Sequence, residues 1–445
     1  MRRFFLFFAC LFLISSELWA MAKQPPVSSP SKEIPSVTPP PLTLEDCYEL
    51  ALKRSESVAI RKEKIEEAES QFYTAASEAL GDVHFEMTDR RQDIQKGGGD
   101  GAVASSSNDP ARRERKFVIN QPLFQGFKAL GALTGAGSLR KTEKEEWRRA
   151  QELLFLDVAR AFYGLLQQGK ELELVTEIHS LLIERVKDLE GRERIGRSRA
   201  SEVATAKSRL RIIEAERAST RGLEAVARHV LEFLTGLDLE GRELAEEEVP
   251  GKEAGGITEY LTDLETRHDV EAARQSAKTA WRGVIVAQSG FWPEISIQHN
   301  QYERREGFQS NLDWDFLFKI DVPLFQGGEA FGGFKKAVSR WKQEKLTYSL
   351  VKREAELEIK ESYQNWRASL EEVRFLEEAV RAALENFRLQ REEYDHNLVG
   401  NLDVLQALES LHQTRRDANR VHYEMKENFW KLKVAAGEGG YGAKS

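Results

Sequence analysis

The sequence predicts a mixed α+β chain, mainly α-helical, built as two structural repeats, and three observations carry that prediction. Pro122-Leu-Phe-Gln-Gly126 recurs as Pro323-Leu-Phe-Gln-Gly327. Two long stretches, 123–249 and 324–445, contain no proline, as very long helices require. A segment of alternating apolar and polar residues leads into each of them. Charged residues make up 31% of the chain with a net charge of −8, which gives no support for nucleic-acid binding.

The N-terminus reads as a secretory signal, segment 1–22. Arg2 and Arg3 precede an apolar run, Phe4 to Ile14, and small residues follow at Ala20 and Ala22, either of which fits a cleavage site. Eleven apolar residues are too few to span a bilayer as a helix. Cys10 lies inside the run with six apolar residues before it, which argues against a lipoprotein signal. No later stretch approaches 18 apolar residues, so a membrane role has to rest on β-strands. Cys47 is then the lone remaining cysteine. It sits on the apolar side of a predicted helix, in a packing role, with no disulfide partner.

Proline and the repeat set the domain boundaries. Seven of the twelve prolines fall between Pro25 and Pro41, which makes 23–41 an extended linker. The repeated motif has an offset of 201 (323 − 122), and the same offset pairs Phe117 with Phe318, Phe162 with Tyr363, Val203 with Val404 and Gly236 with Gly437. Further upstream the offset is 212, pairing Val58 with Val270 and Val83 with Ile295. The difference of eleven residues falls on the Gly- and Ser-rich loop Lys96–Pro110. Repeat 1 is therefore 42–237 and repeat 2 is 257–437, joined by an acidic linker, 238–256, and followed by a tail, 438–445.

Each repeat reads helix, strand, loop, strand, long helix, turn, helix. In the last strand Leu312, Trp314, Phe316, Phe318, Ile320 and Val322 share one face, and Asp313, Asp315, Lys319 and Asp321 share the other, with Leu317 the sole exception. Eleven alternating residues suit either a tilted transmembrane strand or a strand of a soluble sandwich. The partner strands begin near Val83 and Ile295. The helices that follow, Phe127 to Ile195 and Gly328 to His396, are 69 residues each, on the order of 100 Å long. Apolar residues from Tyr363 through Trp366, Leu370, Val373, Leu376, Val380 and Leu384 to Phe387 recur close to the coiled-coil spacing. Helices of that length have to pack along equally long neighbours. Glycines cluster at both helix starts (Gly126, Gly131, Gly135, Gly137; Gly327, Gly328, Gly332, Gly333), reading as a hinge with close backbone packing.

Enzyme motifs are missing. The sequence has no phosphate-binding Gly-rich loop ending in Lys-Ser, no His-Glu-x-x-His and no nucleophile elbow, so no catalytic residue, cofactor or metal is assigned. His412 and His422 lie ten apart on one predicted helix, too far for one metal.

Taken together, the signal, the two repeats, the Pro-Leu-Phe-Gln-Gly motif and the very long helices resemble the TolC-type outer-membrane efflux family over residues 42 to 437. The resemblance implies a homotrimer with a twelve-stranded β-barrel in the outer membrane, four strands from each chain. A long α-helical coiled-coil barrel would continue it across the periplasm of a Gram-negative bacterium. It implies an exit duct for efflux or type I secretion, with a periplasmic adaptor and an inner-membrane transporter docked at the far tip. Trp314, Phe316, Phe318 and Ile320 would face outer-membrane lipid. The family's tip turns match Ile195-Gly196 followed by Ser201-Glu202-Val203, and Asn397 followed by Leu402-Asp403-Val404. Gly196, Ser201, Asn397 and Val399 are thus candidates for adaptor docking. The resemblance further implies that Tyr394 holds the tip closed against Glu202, with Asp403 in an acidic ring. Val399 and Gln406 stand where the family has a basic and a second acidic residue, so the lock here is thinner. Ser201 and Asp403 are expected to cap the return helices. The competing expectation is a soluble or peripheral periplasmic coiled-coil scaffold; a hydrolase using helix-borne carboxylates is a distant third.

Overall fold

Local sequence decides where each helix starts and stops. The computed structural model describes residues 41–91, 111–249, 256–306 and 310–438. The signal segment, the Pro-rich linker up to Pro40, the Lys96–Pro110 insertion and the tail beyond Glu438 lie outside the described residues. Helix α1 (Leu44–Arg54) opens on a capping box. The Thr43 hydroxyl accepts from the Asp46 N–H, and the Asp46 carboxylate accepts from the Thr43 hydroxyl at 2.7 Å and from the Thr43 N–H at 3.0 Å, which hold Asp46 below its ordinary pKa. Ser55 ends α1 and caps α2 (Glu56–Leu80).

Strands β1 (Asp82–Arg91) and β2 (Ala111–Gln125) follow, then α3 (Lys128–Arg194) and α4 (Ala200–Thr235). After a one-turn helix α5 (Ile257–Tyr260), the same order of element types returns: α6 (His268–Gln288), β3 (Glu294–Arg305), β4 (Trp314–Asp321), α7 (Glu329–Asp395) and α8 (Asn401–Ala435). The two long helices are 67 residues each, roughly 100 Å.

The strands form one antiparallel sheet in the order β1-β2-β3-β4, so β1 and β4 are its open edges. The helices beneath follow the same sequence of neighbours, α2 beside α3, α3 beside α6 and α6 beside α7. Strand β4 covers eight residues rather than the eleven of 312–322. Leu312 and Val322 fall outside the ladder, while the Asp313 carbonyl still accepts from the Tyr302 N–H at 2.8 Å. By contrast β2, flanked on both sides, runs on through Pro122 to Gln125 with a register shift between Pro122 and Phe124.

Three separate cores are strung along the helices. One gathers Leu44, Cys47, Phe155, Phe162, Tyr163 and Leu231; burial pushes the Cys47 thiol up to about 12, consistent with an inert packing residue. A second gathers Ile359, Tyr363, Trp366, Phe429 and Leu432. The third, at the end farthest from the sheet, gathers Leu182, Leu189, Val203, Tyr394, Val404 and Leu408. The Arg267 side chain, 1% exposed, ties the second core to its surroundings. It donates to Asp269, to Glu358 at 2.6 Å and to the Ala435 carbonyl at 2.8 Å, joining α6, α7 and the end of α8.

The glycine clusters behave differently in the two halves. A Cβ on Gly131 would come within 3.0 Å of Val286 and 3.3 Å of the Arg282 carbonyl, so α3 and α6 do pack backbone to backbone there. Gly327, Gly328, Gly332 and Gly333 face open space. At the start of α3 it is Phe127 that takes the left-handed conformation (φ 66), at a strain of about 1–2 kcal/mol. Edge-to-face contacts with Phe124 and Trp292 hold it there.

Candidate functional site

Two regions carry the residues singled out from sequence: the turns at the far ends of the long helices, and the sheet. The two turns have the same backbone. Gly196 (φ 72) and Asn397 (φ 58) both take the left-handed conformation, which glycine and asparagine adopt at least cost. Gly196 N–H donates to Glu193 and Arg197 N–H to Arg192; 201 residues later Asn397 N–H donates to Tyr394 and Leu398 N–H to Glu393. Each long helix thus ends in the same paired reverse-turn bonds. Leu398 and Ile195 are exposed at the apices, and Val399 packs against the tip core.

The return helices start two and three residues earlier than caps at Ser201 and Asp403 require. Their N-caps are Arg199 and Gly400. Ser201 is the second helical residue and exposed. Glu202 and Asp403, third in their helices, reach back to the N-cap N–H groups of Arg199 (3.4 Å) and Gly400 (2.8 Å). Glu202 also accepts from the Ser198 hydroxyl at 2.6 Å, so its carboxylate is satisfied within its own turn. Asp403 and Gln406 sit exposed on α8.

Within the chain Tyr394 packs against α3, and it makes no hydrogen bond to Glu202. Its ring is buried between two guanidiniums, Arg185 at 3.8 Å and Arg192 at 4.7 Å from the centroid. Both arginines come from α3. Arg185 donates to the buried Asn401 amide oxygen at 2.9 Å, at the start of α8, and to Asp188. Arg192 donates to Asp188 at 3.1 Å and to Asp395, at the end of α7, at 2.7 Å. Burial pulls Arg185 below its ordinary pKa. The result is a clasp that fastens the end of one long helix to the end of the other. Arg185 and Arg192 went unremarked in the sequence. The signal was there: seven residues apart, they fall two helical turns apart on one face.

In the sheet most of the large apolar residues lie on one face and are exposed; Leu317 and the buried Val118 lie on the other. Trp314, Phe316, Phe318 and Ile320 of β4 stand opposite Gln301, His299, Ile297 and Ile295 of β3. Phe85 stands opposite Phe117, with ring centroids 5.0 Å apart, and Val83 opposite Ile119. The other face is polar and internally bonded: Asp315 accepts from Asn300 at 2.7 Å and from the Tyr302 hydroxyl at 2.6 Å, and Lys116 lies 3.3 Å from Glu86. Among the described residues no helix is long and apolar enough to cross a membrane, and no cluster of ligating side chains could hold a metal.

Residues 262–438 match the family described as outer membrane efflux protein. The chain is similar to the alkaline protease secretion protein AprF of Pseudomonas aeruginosa, 19% identical over 72% of this chain and 68% of AprF. It is also similar to the cation efflux system protein CusC of Escherichia coli, 27% identical over 39% of each chain, so that alignment spans well under half of CusC. The solved outer membrane protein VceC of Vibrio cholerae superposes with a TM-score of 0.79 at 21% identity, covering 89% of this chain and 96% of VceC. The chain thus carries a match to the outer membrane efflux protein family over residues 262–438 and shares the fold of a solved outer-membrane protein along nearly its whole length.

Proposed function

We propose that the chain is the subunit of a homotrimeric outer-membrane channel, the exit duct of a tripartite efflux pump or a type I secretion system. The observation that carries this is the sheet turned inside out. A soluble sandwich would bury Trp314, Phe316, Phe318 and Ile320, whereas here they are exposed and the bonded polar network occupies the opposite face. From Ile295 to Arg304 is nine steps, about 30 Å of strand; at a tilt of roughly 40° that spans about 23 Å, close to the apolar band of an outer-membrane barrel. Four strands per chain and three chains make the twelve-stranded barrel, and the long helices continue it as a helical duct. In this reading the chain is a conduit without catalysis.

The repeat offsets supply the contact between copies. Leu324 and Phe325 are 92% and 90% exposed, while Phe124, the equivalent of Phe325, packs on Phe127 and Trp292. Gly131 lies on Val286. Its equivalent Gly332 (131 + 201) would then lie on Thr74 (286 − 212) of the next copy's α2, whose Tyr73 and Leu80 are exposed. Open edges β1 and β4, like α2 and α7, close the ring. Oxidation of a Gly332→Cys/Thr74→Cys variant should yield crosslinked trimers from the membrane fraction. Recovery of a soluble monomer without detergent would leave the periplasmic scaffold as the better reading.

The tips complete the proposal. The Arg185–Tyr394–Arg192–Asp395 clasp keeps the two hairpins of a chain together, and Asp403 with Glu202 would line the narrow end. Gly196, Ser201, Asn397 and Val399 would present the turns to a periplasmic adaptor and an inner-membrane transporter.

A further inference from the structure

We propose that the helix-distal rim of the sheet is a binding site for the phosphate groups of membrane lipid headgroups, and this rests on the membrane reading above. The outward face changes character along the strands. Val83, Phe85 and Met87 are followed on the same face of β1 by Asp89 and Arg91. On β2, Ile119 and Phe117 are followed by Arg115 and Arg113. On β3, Ile297, His299 and Gln301 are followed, past a register shift, by Arg304 opposite Arg115. The neighbouring Arg305 turns inward, over the Tyr302 ring at 4.5 Å and beside Glu114 at 3.7 Å, so the alternation holds to the end of the strand.

Four outward guanidiniums share two carboxylates. Asp89 lies 3.5 Å from both Arg91 and Arg113, and Glu306 lies 2.6 Å from Arg304. Arg115 has no carboxylate partner among the described residues. It stands directly opposite Arg304, and like charges placed so repel unless an anion lies between them. A neighbouring copy cannot supply that anion along the ladder, because β2 and β3 are the inner strands and any new strand joins at β1 or β4. What lies against their outward face is the bilayer. Arginines just beyond an apolar band meet the level of the lipid phosphates, and a guanidinium fork matches phosphate oxygens. The opposite, helix-proximal rim is different: Phe124, Phe127 and Trp292 cluster there.

The test reconstitutes wild-type trimers and an Arg115→Gln/Arg304→Gln variant in vesicles of phosphatidylcholine mixed with phosphatidylglycerol. The lipid that stays with the trimer after extraction in mild detergent is then measured. Wild type should retain phosphatidylglycerol above its bulk proportion. Each basic side chain near an anionic surface contributes roughly a factor of five, so the double variant should lose about tenfold or more of that enrichment. An Arg115→Lys/Arg304→Lys variant, which keeps the charge, should restore most of it, and Arg194→Gln at the far helix tip should change nothing. Retention of both lipids in bulk proportion by the wild type, or equal enrichment in the double glutamine variant, would overturn the proposal while leaving the barrel intact. A wild-type trimer that fails to float with the vesicles overturns the membrane reading itself.

Discussion

Tyr394 is the residue at which geometry and family resemblance make different demands. If its hydroxyl held the tip, Tyr394→Phe would release it. The structure instead places the ring face between Arg185, whose side chain is 11% exposed, and Arg192, at 25%. A cation over an aromatic face contributes about 2 kcal/mol when desolvated and about 0.5–1 kcal/mol when exposed, so the pair amounts to roughly 3 kcal/mol per chain. Tyr394→Leu keeps most of the apolar volume and removes the quadrupole. It should therefore shift the tip toward its loosened state by about two orders of magnitude, whereas Tyr394→Phe, which keeps the ring, should cost under about 1 kcal/mol. The assay is channel opening in a planar bilayer, with thermal dissociation of the trimer measured in parallel. Tyr394→Leu should open more often than wild type and Tyr394→Phe should stay close to it. Equal opening in the two variants would refute the reasoning and return the role to the hydroxyl.

Three further outcomes follow from the same geometry. Phe318→Arg on the outward face should lower trimer yield in membranes, at about 2–4 kcal/mol near the midplane, while Asp321→Arg on the polar face is tolerated; equal yields would remove the barrel assignment. Arg267→Met leaves the Ala435 carbonyl without this donor and Asp269 and Glu358 to the Arg149 guanidinium, and should cost about 1–3 kcal/mol in thermal unfolding, with the loss confined to under 1 kcal/mol if the surrounding helices simply close over it. Burial alone would raise the Glu246 carboxyl, but hydrogen bonds from Lys426 and His422 outweigh it and hold it below its ordinary pKa. The clasp of the 238–249 segment on α8 is therefore complete above the usual carboxylate range and lost as pH falls through the lower folded value. An acid protease should cut there first on acidification, and Glu246→Gln should expose the segment already at neutral pH.

Much of this molecule was written in local sequence. A proline-free run with a near-heptad apolar stripe has one good conformation, a long helix, and both came within a residue of their predicted ends. Period-two alternation around Phe318 defined a strand and its two faces, because side chains of a strand point alternately whatever it packs against. Gly196 and Asn397 announced left-handed turns through their own backbone preferences. Tertiary structure decided what depends on neighbours distant in the chain. Which face of the sheet is open, how far β4 extends with one partner, and which glycines meet another backbone are questions of packing that alternation cannot answer. The same holds for Tyr394. Its partners Arg185 and Arg192 lie some 200 residues away, and only the antiparallel return of the helices lays both guanidiniums on its ring. Periodicity is a property of one element and survives in the sequence; a contact between elements depends on the register in which they meet, which emerges from burying all three cores at once.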